Sequence, residues 1–290
     1  MFVSKAFSTE LLELPSIRQV ISDHALSARK SLGQHFLMDP SIIQKIVHSA
    51  GIVEGVAVLE IGPGPGGLTR ALLGTSASQI VAVERDLRSV GALRDLVDAA
   101  SPRLRLVSGN ALDIDLNGLC VQPFQIVANL PYNIGTKLLL NFLQMEQVPQ
   151  KMTLMLQKEV AERIVAGPGE PQYGRLSIIV QWLSKVRILF DVSSRAFKPE
   201  PKVTSSVVEF VPRSEPLAPA KSDFLQLITR VAFGQRRKMM RTSLKALHPD
   251  TICLLKMAGI SPTSRPERIS VQEFCSIARV LASWSQRNCG

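Results

Sequence analysis

Two regimes of hydrophobic patterning divide the chain. Between residues 56 and 211, short runs that are mostly apolar alternate with stretches of helical spacing, whereas beyond Pro212 only helical spacing remains. Runs at 56–61, 80–83, 104–107, 124–128, 152–156, 186–190 and 206–211 predict strands. Such runs, without polar alternation, are what strands buried under helices on both faces require. Helices are predicted at 40–50, where Ile42, Ile43, Ile46 and Val47 share a stripe, and at 68–73 and 87–100. The expected body is therefore an α/β, Rossmann-like doubly wound sheet. Ahead of it, a Leu14-Pro15 turn and an amphipathic helix at about 16–28 predict an N-terminal arm, 1–29. The two prolines of Ser214-Glu-Pro-Leu-Ala-Pro219 mark a linker. Helices at 223–233, 236–247, 250–258 and 271–284 then predict a small all-helical C-terminal domain, so the boundaries fall at 1–29, 30–212 and 213–290.

Composition narrows the class. With 290 residues, 46% hydrophobic and 20% charged, the chain is neither disordered nor collagen-like. The net charge of +10 is uneven: Arg213 to Gly290 carries 13 basic against 5 acidic residues, while Met1 to Pro212 carries 21 against 19. A basic appendage on a near-neutral body points to a polyanion, and nucleic acid fits better than a membrane because no lysine-rich amphipathic helix or lipidation signal accompanies it. Cys120, Cys253, Cys275 and Cys289 are scattered without a paired spacing or a histidine cluster, so neither a disulfide framework nor a metal site is expected. No apolar run approaches ~20 residues and the opening segment lacks a targeting pattern, which together predict a cytoplasmic protein.

The candidate chemistry begins at Glu60-Ile-Gly62-Pro-Gly64-Pro-Gly66-Gly67, between a predicted strand and helix, where missing side chains let a ligand approach the backbone. Gly62, Gly64 and Gly67 also satisfy the dinucleotide spacing, and Glu84, 22 residues after Gly62, can accept from both hydroxyls of a ribose in either reading. Asn110, in the third-strand turn, can accept from an adenine amine and donate to a ring nitrogen, or can simply cap its own turn. These residues fall at carboxyl ends of parallel strands, where such sheets bind ligands. They describe S-adenosylmethionine as well as NAD.

Asn129-Leu130-Pro131-Tyr132, after the fourth strand, separates the two. The exocyclic amine of adenine is a poor nucleophile because its lone pair is delocalised into the ring. The Asn129 side-chain oxygen and the Leu130 carbonyl supply two acceptors for its N–H bonds, Pro131 stiffens the turn, and Tyr132 offers a flat face for the base. No side-chain base is required, since the proton leaves an already cationic product.

Together with these motifs, Ser31-Leu-Gly-Gln-His-Phe-Leu37, Phe197-Lys-Pro-Glu-Pro-Lys-Val-Thr-Ser205 and Phe233-Gly-Gln-Arg-Arg-Lys238 resemble the KsgA/RsmA family of ribosomal RNA adenine N6-dimethyltransferases, from about Leu14 to Ala282. The resemblance implies a class I S-adenosylmethionine-dependent fold and the dimethylation of two adjacent adenosines in a hairpin near the 3′ end of small-subunit rRNA, within a pre-30S particle. It also implies that His35, Leu37, Gly62, Glu84, Asn110 and Asn129 border the cofactor, and that Phe197 covers the target base opposite Tyr132. A flipped-out base favours flexible loops over duplex. Two departures stand out: His35 replaces an Asn common in relatives, and Asn110 replaces an Asp, keeping an acceptor and losing a charge.

In the tail, Arg237, Arg241 and Lys245 share a predicted helical face, with Met240, Leu244 and Leu247 on another. With Arg236 and Lys238 they form the expected rRNA-docking surface of a monomeric enzyme. The competing readings are a macrolide-resistance type of 23S rRNA adenine methyltransferase, an NAD-dependent oxidoreductase, and a non-catalytic assembly factor on the same fold.

Overall fold

The computed structural model describes residues 13–29 and 32–287. The first part of the expected arm, Ser31 of the Gly-Gln-His-Phe-Leu segment and Cys289 lie outside the described residues. Two compact units emerge, one of residues 1–161 and 187–212, the other of residues 162–186 and 213–290.

The first unit is built on a seven-stranded sheet. Its strands are β2 (Ala57–Ile61), β3 (Ile80–Glu84), β4 (Leu104–Ser108), β5 (Phe124–Asn129), β6 (Lys151–Gln157), β7 (Ser184–Val192) and β9 (Ser205–Pro212), in the order β4-β3-β2-β5-β6-β9-β7. From β4 to β6 neighbouring strands are parallel, and β9 then runs antiparallel to β6. All seven expected strands are present. Every residue of β2 and β3 is buried, as their mostly apolar runs predict, Glu60 and Glu84 included. Two short strands, β1 (Phe36–Leu37) and β8 (Phe197–Lys198), pair antiparallel with Leu37 opposite Phe197.

Ahead of the sheet, helix α1 (Ile17–Asp23) is shorter than the 16–28 expected, with Ser16 as its N-cap. Helix α2 (Pro40–Ala50) has the predicted bounds: Asp39 accepts from the amides of Ser41 and Ile42, Pro40 sits in the first turn, and Gly51 closes the helix at φ 56°. Helix α3 is Gly67–Leu73, and the single helix expected at 87–100 is divided at Leu93 into α4 (Leu87–Ala92) and α5 (Arg94–Ala99). Helices α6 (Gly135–Phe142), α7 (Lys158–Val165) and α8 (Arg175–Leu183) have no counterpart in the pattern reading. In α8 the run Ile178, Ile179, Val180 and Trp182 is buried, so the amphipathic signal of a surface helix is lost.

The second unit is helical. It contains α8, α9 (Ser222–Gly234), α10 (Met240–Ser243), α11 (Thr251–Met257) and α12 (Val271–Arg287). Residues 162–186 therefore belong with the C-terminal helices, and a division at 212 alone misplaces them. The physical reason is local: the Tyr173 hydroxyl donates to Ile269 O at 2.8 Å, and the Tyr173 ring meets Phe233 edge-on at 6.1 Å. Reapportioned this way, the charge is more polarised, with 16 basic and 7 acidic residues in the helical unit against 18 and 17 in the other. The helix expected at 236–247 is reduced to α10 followed by a 3-10 turn at Leu244–Ala246, so Arg237 lies in the preceding turn rather than on a helical face.

Candidate active site

Chain order reverses between β2 and β5, since β2 has β3 on one side and β5 on the other, and a crevice opens at the carboxyl ends of these strands. A single cavity there is lined by His35, Leu37, Gly62, Glu84, Asn110, Asn129, Leu130, Pro131 and Tyr132. Nine positions read from the sequence thus converge, although they span 98 residues of chain.

The glycine loop forms one wall. Gly62, Gly64 and Gly66 adopt φ of 71°, 55° and 90°, in the left-handed region that a side chain disfavours. A Cβ at Gly62 would meet nothing within 4 Å, so this stretch of backbone is open to a ligand. One at Gly66 would lie 2.8 Å from Leu93 Cδ2, so there the missing side chain serves packing.

Two buried carboxylates lie beside the loop. Glu84 accepts from the amides of Gly64 at 3.0 Å and Asp86 at 2.8 Å, one on each oxygen, which ties the loop to the end of β3. Burial nevertheless leaves its pKa raised, the backbone bonds only partly offsetting the lost hydration. Glu60 is 1% exposed and neither oxygen has a hydrogen-bond partner among the described residues. Burial pushes its carboxyl from the ordinary 4.5 up to about 8, opposed by the nearby Thr69 hydroxyl and reinforced by Glu84.

The opposite wall carries the acceptor turn. Asn129 Nδ2 donates to the backbone carbonyl of His35 at 3.1 Å. The amide nitrogen being engaged, Oδ1 is the end left to accept. Leu130 is 1% exposed and its N–H donates to Met155 O at 3.3 Å, anchoring the turn to β6. Tyr132 shares a hydrogen bond of 2.5 Å with Ser205 Oγ, a fully buried group that the sequence reading passed over within its own motif. Gly33, at φ 63°, abuts the same turn: a Cβ there would lie 2.6 Å from Asn133 Oδ1. A further link fastens the wall. Gln34 Nε2 donates to Asp86 Oδ2 at 3.1 Å, and Arg88 Nη2 binds the same oxygen at 2.6 Å. Arg88 is the main reason the Asp86 carboxyl falls to about 2.

Asn110 lines the cavity as expected; its Oδ1 accepts from Leu112 N at 3.2 Å and its Nδ2 donates to the exposed Asp113 Oδ2 at 2.6 Å, so it also caps its own turn. Two expected roles change. Phe197 is 3% exposed and packs in the core with Leu37 and Val207, so it offers no face to the cavity. Arg236 is committed to the protein: its Nε binds Glu267 Oε2 at 3.1 Å, and its Nη2 donates to Pro171 O at 2.7 Å and Glu170 O at 3.3 Å. Arg237, Lys238, Arg241 and Lys245 are exposed.

The residues present fit S-adenosylmethionine. A buried carboxyl with no hydrogen-bond partner among the described residues, beside the glycine loop, ionises most readily next to a cation, and this ligand carries both a sulfonium and an ammonium. The pyrophosphate of a dinucleotide brings no positive charge to it. Comparison with known proteins agrees. The model of the ribosomal RNA adenine dimethylase family matches residues 25–283. A ribosomal RNA small subunit methyltransferase A of Rhodospirillum rubrum is 50% identical over 268 residues, 92% of this chain and 93% of that protein. Its counterpart from Xanthobacter autotrophicus is also 50% identical, over 93% of this chain and 95% of the relative. Among solved structures, a dimethyladenosine transferase from Plasmodium falciparum superposes with a TM-score of 0.72 at 24% identity, covering 88% of this chain and 98% of the other, a likeness of fold. The 23S rRNA methyltransferase ErmE gives a TM-score of 0.66 at 25% identity, over 85% and 99%. Fold, cavity and sequence together place this chain in the ribosomal RNA adenine dimethylase family, whose members are S-adenosylmethionine-dependent methyltransferases.

Proposed function

We propose that the chain dimethylates N6 of two adjacent adenosines in the 3′-terminal hairpin of small-subunit rRNA, acting as a cytoplasmic monomer on a pre-30S particle. The observation that carries this reading is the Asn129 amide, whose bond to His35 O leaves its oxygen as the acceptor in the cavity. Glu60, the glycine loop and Glu84 hold S-adenosylmethionine, which supplies an electrophilic methyl group. Asn129 Oδ1 and the Leu130 carbonyl accept from the adenine amine, restoring nucleophilicity to its nitrogen. Tyr132 carries the base on its ring, and the proton is released from the cationic product to water. The helical unit, with 16 basic and 7 acidic residues, supplies the phosphate-binding surface through Arg237, Lys238, Arg241 and Lys245.

The test is direct: incubate the protein with labelled methyl donor and either undermethylated 30S subunits or 50S subunits, and map the product by mass spectrometry. Dimethylated adjacent adenosines in the small-subunit RNA are expected. Label confined to 50S particles would assign the chain to the macrolide-resistance type instead.

A further inference from the structure

Three motifs distant in sequence meet at the His35 side chain. Its ring stacks on Tyr132 with centroids 5.3 Å apart and planes inclined by 27°. Its Nδ1 lies 2.8 Å from the carbonyl oxygen of Pro199, and its own carbonyl receives Asn129. We propose that His35 is the second face of the target-base slot, covering Tyr132 at rest and parted from it by the entering adenine. The proposal rests on the reading of Tyr132 as the base platform.

Phe197, which the sequence would place opposite Tyr132, is packed in the core, and His35 is the ring that faces Tyr132 instead. A base held between two rings needs two van der Waals layers, about 7 Å in all. At 5.3 Å the slot is closed, so one wall must move. Tyr132 is the fixed wall, because its hydroxyl is bonded to the buried Ser205 at 2.5 Å. His35 is the movable one: its backbone is held by Asn129 and by the pairing of the adjacent Phe36 with Lys198, whereas its ring is retained by the contact to Pro199 O. Rotation of the ring opens the slot without disturbing the Asn129 acceptor. An Asn at this position provides no aromatic face, so the ring is what the slot draws on.

The full chain carrying His35→Ala, His35→Asn or His35→Phe tests this. S-adenosylmethionine affinity by titration calorimetry is compared with KM and kcat on undermethylated 30S subunits. His35→Ala and His35→Asn are expected to raise KM for the subunit about tenfold, as loss of one base stack would, while cofactor affinity stays within about twofold. His35→Phe restores KM to within about threefold of the parent. A tenfold loss of cofactor affinity with unchanged KM would make His35 a cofactor wall, and unchanged values for His35→Ala would remove it from the site; either result overturns the proposal. Tyr132→Ala, measured in parallel, separates the two readings. If it loses activity while His35→Ala does not, only the role of His35 falls; if Tyr132→Ala is also unaffected, the base-platform reading falls with it.

Discussion

Asn129 donates through Nδ2 to the backbone carbonyl of His35 at 3.1 Å, across 94 residues of sequence. This bond ties the fourth-strand turn to the segment that forms the facing wall, and it orients the amide. Asn129→Ala removes the acceptor and should lower kcat by about 100-fold or more, the cost of losing one preorganised hydrogen-bonding group at a reacting centre. Asn129→Asp keeps two acceptors but sets a carboxylate oxygen against the His35 carbonyl, and should not rescue. Single-turnover methylation of 30S subunits measures both, and full activity of Asn129→Ala would sink the assigned role.

Glu60 predicts a pH dependence of defined sign. Its carboxyl is raised from 4.5 to about 8 in the folded chain, so between those values the native state holds a proton that the unfolded state releases. Stability of the cofactor-free protein should therefore fall as pH rises through this window, and Glu60→Gln should flatten the dependence in thermal melts. Binding a cationic ligand favours the carboxylate. At pH 7 the parent should release close to one proton on binding S-adenosylmethionine and Glu60→Gln none, read from calorimetry in buffers of different ionisation heat.

Gly66 and Gly62 separate packing from ligand access. Gly66→Ala combines φ 90° with a Cβ 2.8 Å from Leu93 Cδ2 and 3.1 Å from Leu96 Cδ2, and both leucines are buried. The left-handed backbone costs about 1–2 kcal/mol and overpacking about 1–3 kcal/mol more, so a loss of roughly 2–5 kcal/mol is expected in urea titration. Gly62→Ala meets nothing within 4 Å and should bear only the backbone cost, about 1–2 kcal/mol. Equal losses for the two would contradict this division.

The basic residues divide by what they touch. Arg237→Ala/Arg241→Ala, both exposed in the parent, should weaken subunit binding and reduce the slope of log affinity against log salt by about two, leaving cofactor affinity intact. Arg236→Ala should leave that slope unchanged and instead lower the melting temperature of the helical unit, because the bonds to Glu267, Pro171 and Glu170 are lost. Filter binding across a salt series, with thermal melts alongside, distinguishes them.

Local chemistry determined much by itself. Short, mostly apolar runs marked all seven strands of the sheet, Asp39, Pro40 and Gly51 bounded α2, and the glycine-rich stretch announced the loop. Periodicity and turn chemistry are properties of a few neighbouring residues, so they can be read without the fold. Only tertiary structure decided which side chains face the cavity. The glycines and prolines at 167–171 mark a break in the chain but not which body follows it, and Tyr173 and its neighbours pack with the C-terminal helices. Phe197 is buried by its pairing with Leu37, Asn110 turns to Asp113, and Arg236 reaches back to Glu170 and Pro171. His35 contacts Pro199 across 164 residues, a separation over which no spacing rule operates. Such pairings are set by how the sheet and its loops come together, because an aromatic, an amide or a guanidinium is bonded by whichever partner the packed backbone brings within about 3 Å.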